Sequence, residues 1–399
     1  MPGPLDGVTV VDMTWVVLGP YATQIMGDLG ADVIKVEPPD GDTTRQTGPM
    51  RNPDMASFFL SANRNKRSLV LDLKQPAARD ALMKLTDRAD VFVHSVRPDA
   101  IDRLGLGHEA LLARNPGLVY AAVHGFRRDG PYGGRPAYDD IIQAAAGMSD
   151  LMRRVTGEML HMPMVVGDKT TGLTLAYAVM AALFHRERTG EGQFVEVPML
   201  ETLASFTLLE HAFGRTFDPP EGPVGYSRVL AKFRKPYPTS DGRYICFLAY
   251  NQRQWERYAE AVERPGLKTD PRYATMKARA DNIEDVYALC AEITATMPLA
   301  HWEETFERLE MPHMTVNALE DVYDDPHLRA TGFFQTMDHP SEGRLTMPSP
   351  PVNFEKSPSS VRLHPPKLGE QSVEVLREAG LADAEIEAMV ASGATRDGR

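Results

Sequence analysis

The sequence predicts an α/β protein: parallel strands with helices on both faces, followed by a second, smaller α+β unit. Three observations carry that expectation. Through the first third of the chain, short β-rich runs alternate with helical segments, the pattern of a parallel sheet covered by helices. At 399 residues the chain exceeds what one ordinary core organises, so two domains are expected. Residues 214–228 are rich in Gly and Pro and read as a linker between the two parts.

The elements follow in order. VTVVDM (Val8–Met13) reads as a strand. Tyr21–Gly30 reads as a helix entered through Pro20, where the missing N–H costs nothing. Asp32–Pro38 and LVLDLK (Leu69–Lys74) are the next strands, then a helix over about Pro76–Arg88, and strands over Ala89–Ser95 and Gly117–Gly125. A Gly/Pro-rich loop enters a helix of small residues within Gly130–Met152. A long apolar helix spans 166–188, with Gly190 as its C-cap. Phe194–Phe213 is a strand followed by a helix, closing a first large-domain portion over 1–213. The small domain is expected over 229–330. It opens with a hairpin, Pro236–Leu248, turning at Asp241-Gly242. Helices follow at Gln252–Val262, Ile283–Thr294 and Leu299–Leu309. A Pro-rich tract, Thr346–Phe354, then leads to a closing helical segment, Ser372–Ala391.

Composition narrows the function. With 43% apolar and 25% charged residues the chain has the make-up of a soluble globular protein. No apolar run approaches the ~20 residues that span a bilayer, and the N-terminus lacks the pattern of a secretory signal. A cytoplasmic protein without a membrane partner is expected. Cys246 and Cys290 lack the spacing of a disulfide framework or zinc site. A net charge of −12 argues against nucleic acid as a partner. The Walker phosphate loop, HExxH and the GxSxG elbow are missing from the sequence. The first strand–helix turn, VVLGPYAT, has one glycine where a dinucleotide fold wants GxGxxG. Glu37, at the end of the second strand, then reads as a solvated strand-end carboxylate.

VGDKTTG, at the head of the long helix, poses the central question. Asp168 is either an N-cap worth ~1 kcal/mol or a carboxylate that does chemistry, and local pattern alone favours the cap. Arg64, Lys66, Arg67, Lys74, Arg97 and Arg103 fall at strand ends or adjacent turns, where open α/β sheets bind ligands. Solvated loop charge accounts for them equally well. For His124, Arg127 and Arg128 in HGFRRDGP, the solvated loop is the favoured reading over binding of an acidic acceptor. Trp15 hints at a partly apolar acyl site.

Five blocks occur in an order and spacing that carry a resemblance: the first strand–helix–strand through Arg45, NRNKRSLVLDLK, RPDAIDRLGLG, GPYGGRPAYD and VGDKTTGLTLAYAVMAALFHRERTGEGQ. Together they resemble the family III CoA-transferases, the group that includes formyl-CoA transferase, carnitine CoA-transferases and α-methylacyl-CoA racemase. The resemblance implies a Rossmann-like large domain built from both chain ends, so that residues 331–399 return to it, and an interlocked homodimer. It implies CoA, acyl-CoA and a carboxylic acid as substrates, with no metal and no tightly bound cofactor. Asp168 matches the nucleophile. Val16 and Leu71 match apolar positions near CoA, and Lys74 and Arg103 match basic positions for phosphate or adenine. Ser95 and Val96 lie where many members carry Asn-Phe, and Arg97-Pro98 is kept. Tyr138 is expected to pack or hydrogen-bond near the thioester, and a purely structural tyrosine accounts for it at least as well. Two departures are Pro38, where formyl-CoA transferase has a basic residue, and Val17, where it has a glutamine. Racemases carry a histidine where this chain has Tyr138, and a phenol neutral at pH 7 is a poor base. They also carry a glutamate that FLAYNQRQW lacks. Both differences favour a transferase over a racemase-like member or a non-catalytic CoA-binding protein.

Overall fold

The structure, a computed structural model, describes residues 1–398. It divides into two compact units. The first comprises Met1–Met148, His161–Phe206 and the residues from Arg329 on; the second comprises Ser149–Leu160 and Thr207–Leu328. The second unit thus starts before residue 229 and includes a short stretch, 149–160, that the sequence reading left in the large domain.

The first unit is built on six strands: β1 (Thr9–Met13), β2 (Asp32–Glu37), β3 (Lys66–Val70), β4 (Val91–His94), β5 (Val119–His124) and β6 (Gln193–Pro198). They pair in the order β3-β2-β1-β4-β5-β6, every pair parallel. This is a doubly wound order, and the chain reverses its direction of travel between β1 and β4. The helices of this unit are α1 (Leu18–Asp28), α2 (Ser57–Ala62), α3 (Pro76–Thr86), α4 (Pro98–Arg103), α5 (His108–Arg114), α6 (Asp139–Ala145), α8 (Val166–Thr189) and the first part of α9 (Met199–His211); α7 (Met148–Thr156) belongs almost wholly to the second unit. Val11, Met13, Ile34, Val36, Phe92 and Tyr120 pack with Ala78 and Leu82 of α3 and with Val375 and Ile386 from the C-terminal helices. α1 and α8 pack on each other and on the sheet. With both faces covered, β1–β5 are buried almost throughout, including charged residues such as Asp12, Lys35 and Lys66 among the apolar ones. α8 ends at Gly190, whose φ of 79° is the left-handed C-cap expected there.

Strand β3 departs from expectation. It runs Lys66–Val70, not Leu69–Lys74. Its first residues look like loop in sequence because they are charged, yet Lys66 is fully buried on Asp12, 3.2 Å away. The outer edge of β3 is covered by the C-terminal stretch: the Asn65 N–H donates to the Leu363 carbonyl (3.0 Å), the Gln371 N–H to the Ser68 carbonyl (3.1 Å) and the Asp72 N–H to the Ala394 carbonyl (2.9 Å). The tract read as Pro-rich contributes instead to a hairpin, β10 (Phe334–His339) with β11 (Gly343–Pro348), because Thr346–Pro348 completes its second strand.

The second unit holds a three-stranded antiparallel sheet, β7 (Tyr237–Pro238), β8 (Tyr244–Phe247) and β9 (His313–Thr315). Helices at Gln252–Ala261, Ile283–Thr294 and Leu299–Arg308 cover it. Its core is aromatic: Trp255, Tyr258, Trp302 and Phe306 close on Phe247 of β8.

Candidate active site

Two cavities open at the C-terminal ends of the first unit's strands, where a doubly wound sheet binds its ligands. The larger, ≈ 850 Å³, takes its walls from the turns after β1, β2 and β3. The smaller, ≈ 290 Å³, takes its walls from the turns after β1, β4 and β5 and from the start of α8. Trp15, Val16 and Tyr138 line both, so the cavities meet there.

Asp168 lies on the wall of the smaller cavity, in the first turn of α8. It is not the N-cap. That position is Val165, which offers no side-chain hydrogen bond. The capping acceptor comes from α6 instead: Asp139 Oδ1 accepts the Asp168 N–H at 2.9 Å. Asp139 is buried, and its other oxygen accepts from Gln143 Nε2 at 2.6 Å. Gln143 also donates to the Met164 carbonyl (3.1 Å) and accepts the Met162 N–H (2.8 Å). The Asp139–Gln143 pair therefore fixes the segment that delivers Asp168. Burial, and then the Asp139 charge, push the Asp168 carboxyl up to about 7. Among the described residues neither carboxylate has an ion-pair partner.

The wall shared by the two cavities is a strained turn. Val16 has φ 70°, a left-handed conformation that a β-branched residue adopts only at a cost of ~1–3 kcal/mol. The Val16 N–H donates to both oxygens of Asp42, at 3.3 Å each. Lys35 Nζ ties Asp42 Oδ2 (2.9 Å) to the Thr14 carbonyl (2.9 Å). Gly19 completes the turn, since a Cβ there would sit 2.2 Å from Thr14 Cβ. The indole N–H of Trp15 is buried without a hydrogen-bond partner.

Beneath the cavities lies a buried charge network. Lys66 contacts Asp12, the Pro20 carbonyl and Asn63, and burial draws its pKa down to about 8. Glu37 corrects the sequence reading: it is not solvated but 1% exposed, with Arg45 bonded to both its oxygens at 2.7 Å and Ser68 Oγ donating at 2.7 Å. Burial alone would raise the Glu37 carboxyl, but Arg45 holds it below the usual range.

The residues singled out from sequence divide accordingly. Val16, Leu71, Lys74, Ser95, Arg97, Tyr138 and Asp168 all line one or both cavities. Val96 and Arg103 line neither. Val96 packs on the core, its carbonyl accepting from His124 Nε2 at 3.0 Å, and Arg103 closes α4. Arg64, Lys66 and Arg67 do not face a ligand either. They sit at the N-terminal end of β3, the wrong end of the sheet, and pair with Asp28, Asp12 and Asp32. Arg127 and Arg128 form exposed pairs with Asp129 and Asp102, as the solvated-loop reading expects, but His124, grouped with them in that reading, is largely buried at the end of β5 on the smaller cavity's wall. Sequence reasoning missed Asp139 and Gln143 as positioning groups and Arg135 on the smaller cavity's wall. No local pattern marks them, because the contact that matters spans 29 residues. Among the described residues no cluster of three or more His, Cys, Asp or Glu could hold a metal ion, and no helix is long and apolar enough to cross a membrane.

Comparison with known proteins places this architecture. The family described as CoA-transferase family III matches residues 5–372, and the chain belongs to that family. Among its relatives, succinyl-CoA:glutarate CoA-transferase of Mus musculus is 32% identical over 98% of this chain and 90% of its own length. Succinyl-CoA:mesaconate CoA-transferase of Haloarcula hispanica is 33% identical, covering 95% and 97% of the two chains. The crystal structure of Rv3272 from M. tuberculosis superimposes with a TM-score of 0.81 at 31% identity, covering 93% of this chain and 98% of that one.

Proposed function

We propose that the protein is an acyl-CoA:carboxylate CoA-transferase that carries CoA on Asp168 as an aspartyl thioester. The observation behind this reading is the placement of Asp168: partly buried, without a cation, on the wall of a cavity that meets a larger one. In this reading the larger cavity, with Leu71 and Lys74 on its wall, holds the CoA portion. The acyl group crosses Trp15, Val16 and Tyr138 to reach Asp168.

An Asp168 oxygen attacks the donor thioester carbonyl, forming an acyl–aspartyl anhydride and expelling CoA thiolate. The thiolate attacks the aspartyl carbonyl, releasing the donor's carboxylate and leaving the aspartyl-CoA thioester. The acceptor carboxylate then attacks that thioester and again frees the thiolate. The thiolate takes the acceptor acyl group, and Asp168 returns as a carboxylate. Each step exchanges one acyl bond for another, and no net proton moves. A pKa near 7 makes Asp168 a stronger nucleophile than an ordinary carboxylate while leaving it largely ionised above neutrality. The α8 N-terminus opposes that rise by roughly 0.3–1 kcal/mol.

Succinyl-CoA, the donor for which these two relatives are named, is the first donor to test, with glutarate and mesaconate as acceptors. Arg97 and Arg135 on the smaller cavity's wall suit an acceptor with a second carboxylate. The reading includes a homodimer, which light scattering would report as twice the chain mass. The decisive experiment traps the intermediate. Hydroxylamine or borohydride added during turnover is expected to modify Asp168, as read by peptide mass spectrometry. Full activity in Asp168→Ala, or deuterium wash-in at the α-carbon of a 2-methylacyl-CoA without transfer, would remove this mechanism.

A further inference from the structure

We propose that the second unit binds an organic acid with an apolar body, in a cleft of its own. The cleft consists of an outer chamber of ≈ 660 Å³ and an inner one of ≈ 420 Å³. The two share Arg228, Tyr226, Tyr237, Phe247, Leu248 and Tyr287, so Arg228 stands where they adjoin. Volumes in this range suit a small-molecule ligand, and the shared aromatic walls suit an apolar one.

The charges in the cleft are unmatched. Arg228 Nε donates to the Tyr287 hydroxyl at 3.0 Å, and its guanidinium lies 4.9 Å from the Tyr250 ring centroid. These contacts fix the group without neutralising it. Arg234 and Lys235 line the outer chamber, which has no carboxylate in its wall. At the inner chamber Arg279 is 5% exposed. Its Nη1 donates to Gln252 and to the Tyr273 carbonyl, while Nη2 is buried without a partner. The one carboxylate of the inner wall, Asp281, is held by Lys277.

Elsewhere in the same unit the arginines without a carboxylate, such as Arg243, Arg253 and Arg308, are exposed to water, and others are paired. Arg257, Arg264 and Arg272 each hold a carboxylate, on Glu310, Glu292 and Asp270. Among the described residues Arg228 holds none and is only partly exposed, whereas Arg234 and Lys235, which also hold none, are exposed to water. A cation partly removed from water and left without a counter-charge is costly unless an anion supplies it. A ligand carboxylate on the guanidinium of Arg228, with its apolar body against the aromatic walls, satisfies both features. This inference is independent of what Asp168 does.

Calorimetry on the full-length protein tests it, with octanoate, phenylacetate and inorganic sulfate as probes. Saturable binding is expected for at least one of the two organic acids, more tightly than for sulfate. Arg228→Gln should weaken it roughly tenfold or more. Arg228→Lys, which keeps the charge but not the two-pronged geometry, should recover only part of that. Asp168→Ala and Arg97→Gln/Arg135→Gln should leave it unchanged. Three outcomes would overturn the proposal: no saturable binding of either acid, sulfate binding as tightly as the acids, or a loss confined to the Arg97→Gln/Arg135→Gln variant. Circular dichroism of Arg228→Gln separates a lost site from a lost fold.

Discussion

Two charged neighbourhoods of the first unit lie close in the fold and obey opposite rules. In the interior of the unit, Lys35 with Asp42, Lys66 with Asp12 and Arg45 with Glu37 form three ion pairs, every side chain almost wholly buried. At the head of α8, two carboxylates, Asp139 and Asp168, meet without a cation. The first arrangement makes each charge expensive to disturb and chemically quiet. The second leaves one carboxylate under-stabilised and exposed to a cavity. Charge in a sequence therefore says little about function until its partners are known, and the unpaired group is the informative one.

The largest expected effect breaks the unpaired side of this comparison. Asp168→Asn should lower transferase turnover by roughly 10⁴-fold or more, since the amide cannot form the anhydride; steady-state assay with succinyl-CoA measures it. The paired side should respond in stability instead. Arg45→Met strands the buried Glu37 carboxylate and should cost about 3–5 kcal/mol in denaturant unfolding, whereas Arg45→Met/Glu37→Leu should recover most of that. If the single and double variants were equally unstable, the pairing account would fail.

Asp139→Asn sharpens the comparison by removing the like charge while keeping an acceptor for the Asp168 N–H. For the native protein, kcat/KM should fall as pH drops below about 7, because the carboxyl then takes up its proton. In Asp139→Asn that acid limb should move to lower pH. The same shift has a stability sign. A carboxyl whose pKa is raised by folding binds its proton more tightly in the folded state, so its cost is absent below the ordinary carboxylate range and fully present above about 7. Asp168→Asn should therefore raise the thermal midpoint near pH 8 and leave it unchanged near pH 4. The smallest effect concerns the turn between the cavities. Val16→Gly relieves the left-handed strain and should stabilise the protein by ~1 kcal/mol, while raising KM more than it lowers kcat. A variant with unchanged KM would show that the turn's shape does not matter to binding.

The alternating pattern in the sequence was enough to read five of the six parallel strands near their true places, because strands buried on both faces are long apolar runs. It misplaced β3, whose opening Lys66 and Arg67 are buried or half-buried by partners 54 and 35 residues away. It also missed α4 and α5, whose few turns are too short to show a period. For the site, ordered blocks pointed to Asp168 and to most of the cavity wall. They could not show that Asp168 is capped by Asp139 rather than being a cap, nor that Glu37 is buried, since both depend on contacts the chain makes only when folded.

The stitching of β3 has a consequence for biosynthesis. Asn65, Ser68 and Asp72 bond to Leu363, Gln371 and Ala394, close to the far end of the chain. As the protein emerges from the ribosome, β3 is made early, but its outer edge stays uncovered until some three hundred further residues have been translated. For that interval it presents free backbone donors and acceptors, the state most prone to mispairing with other nascent chains.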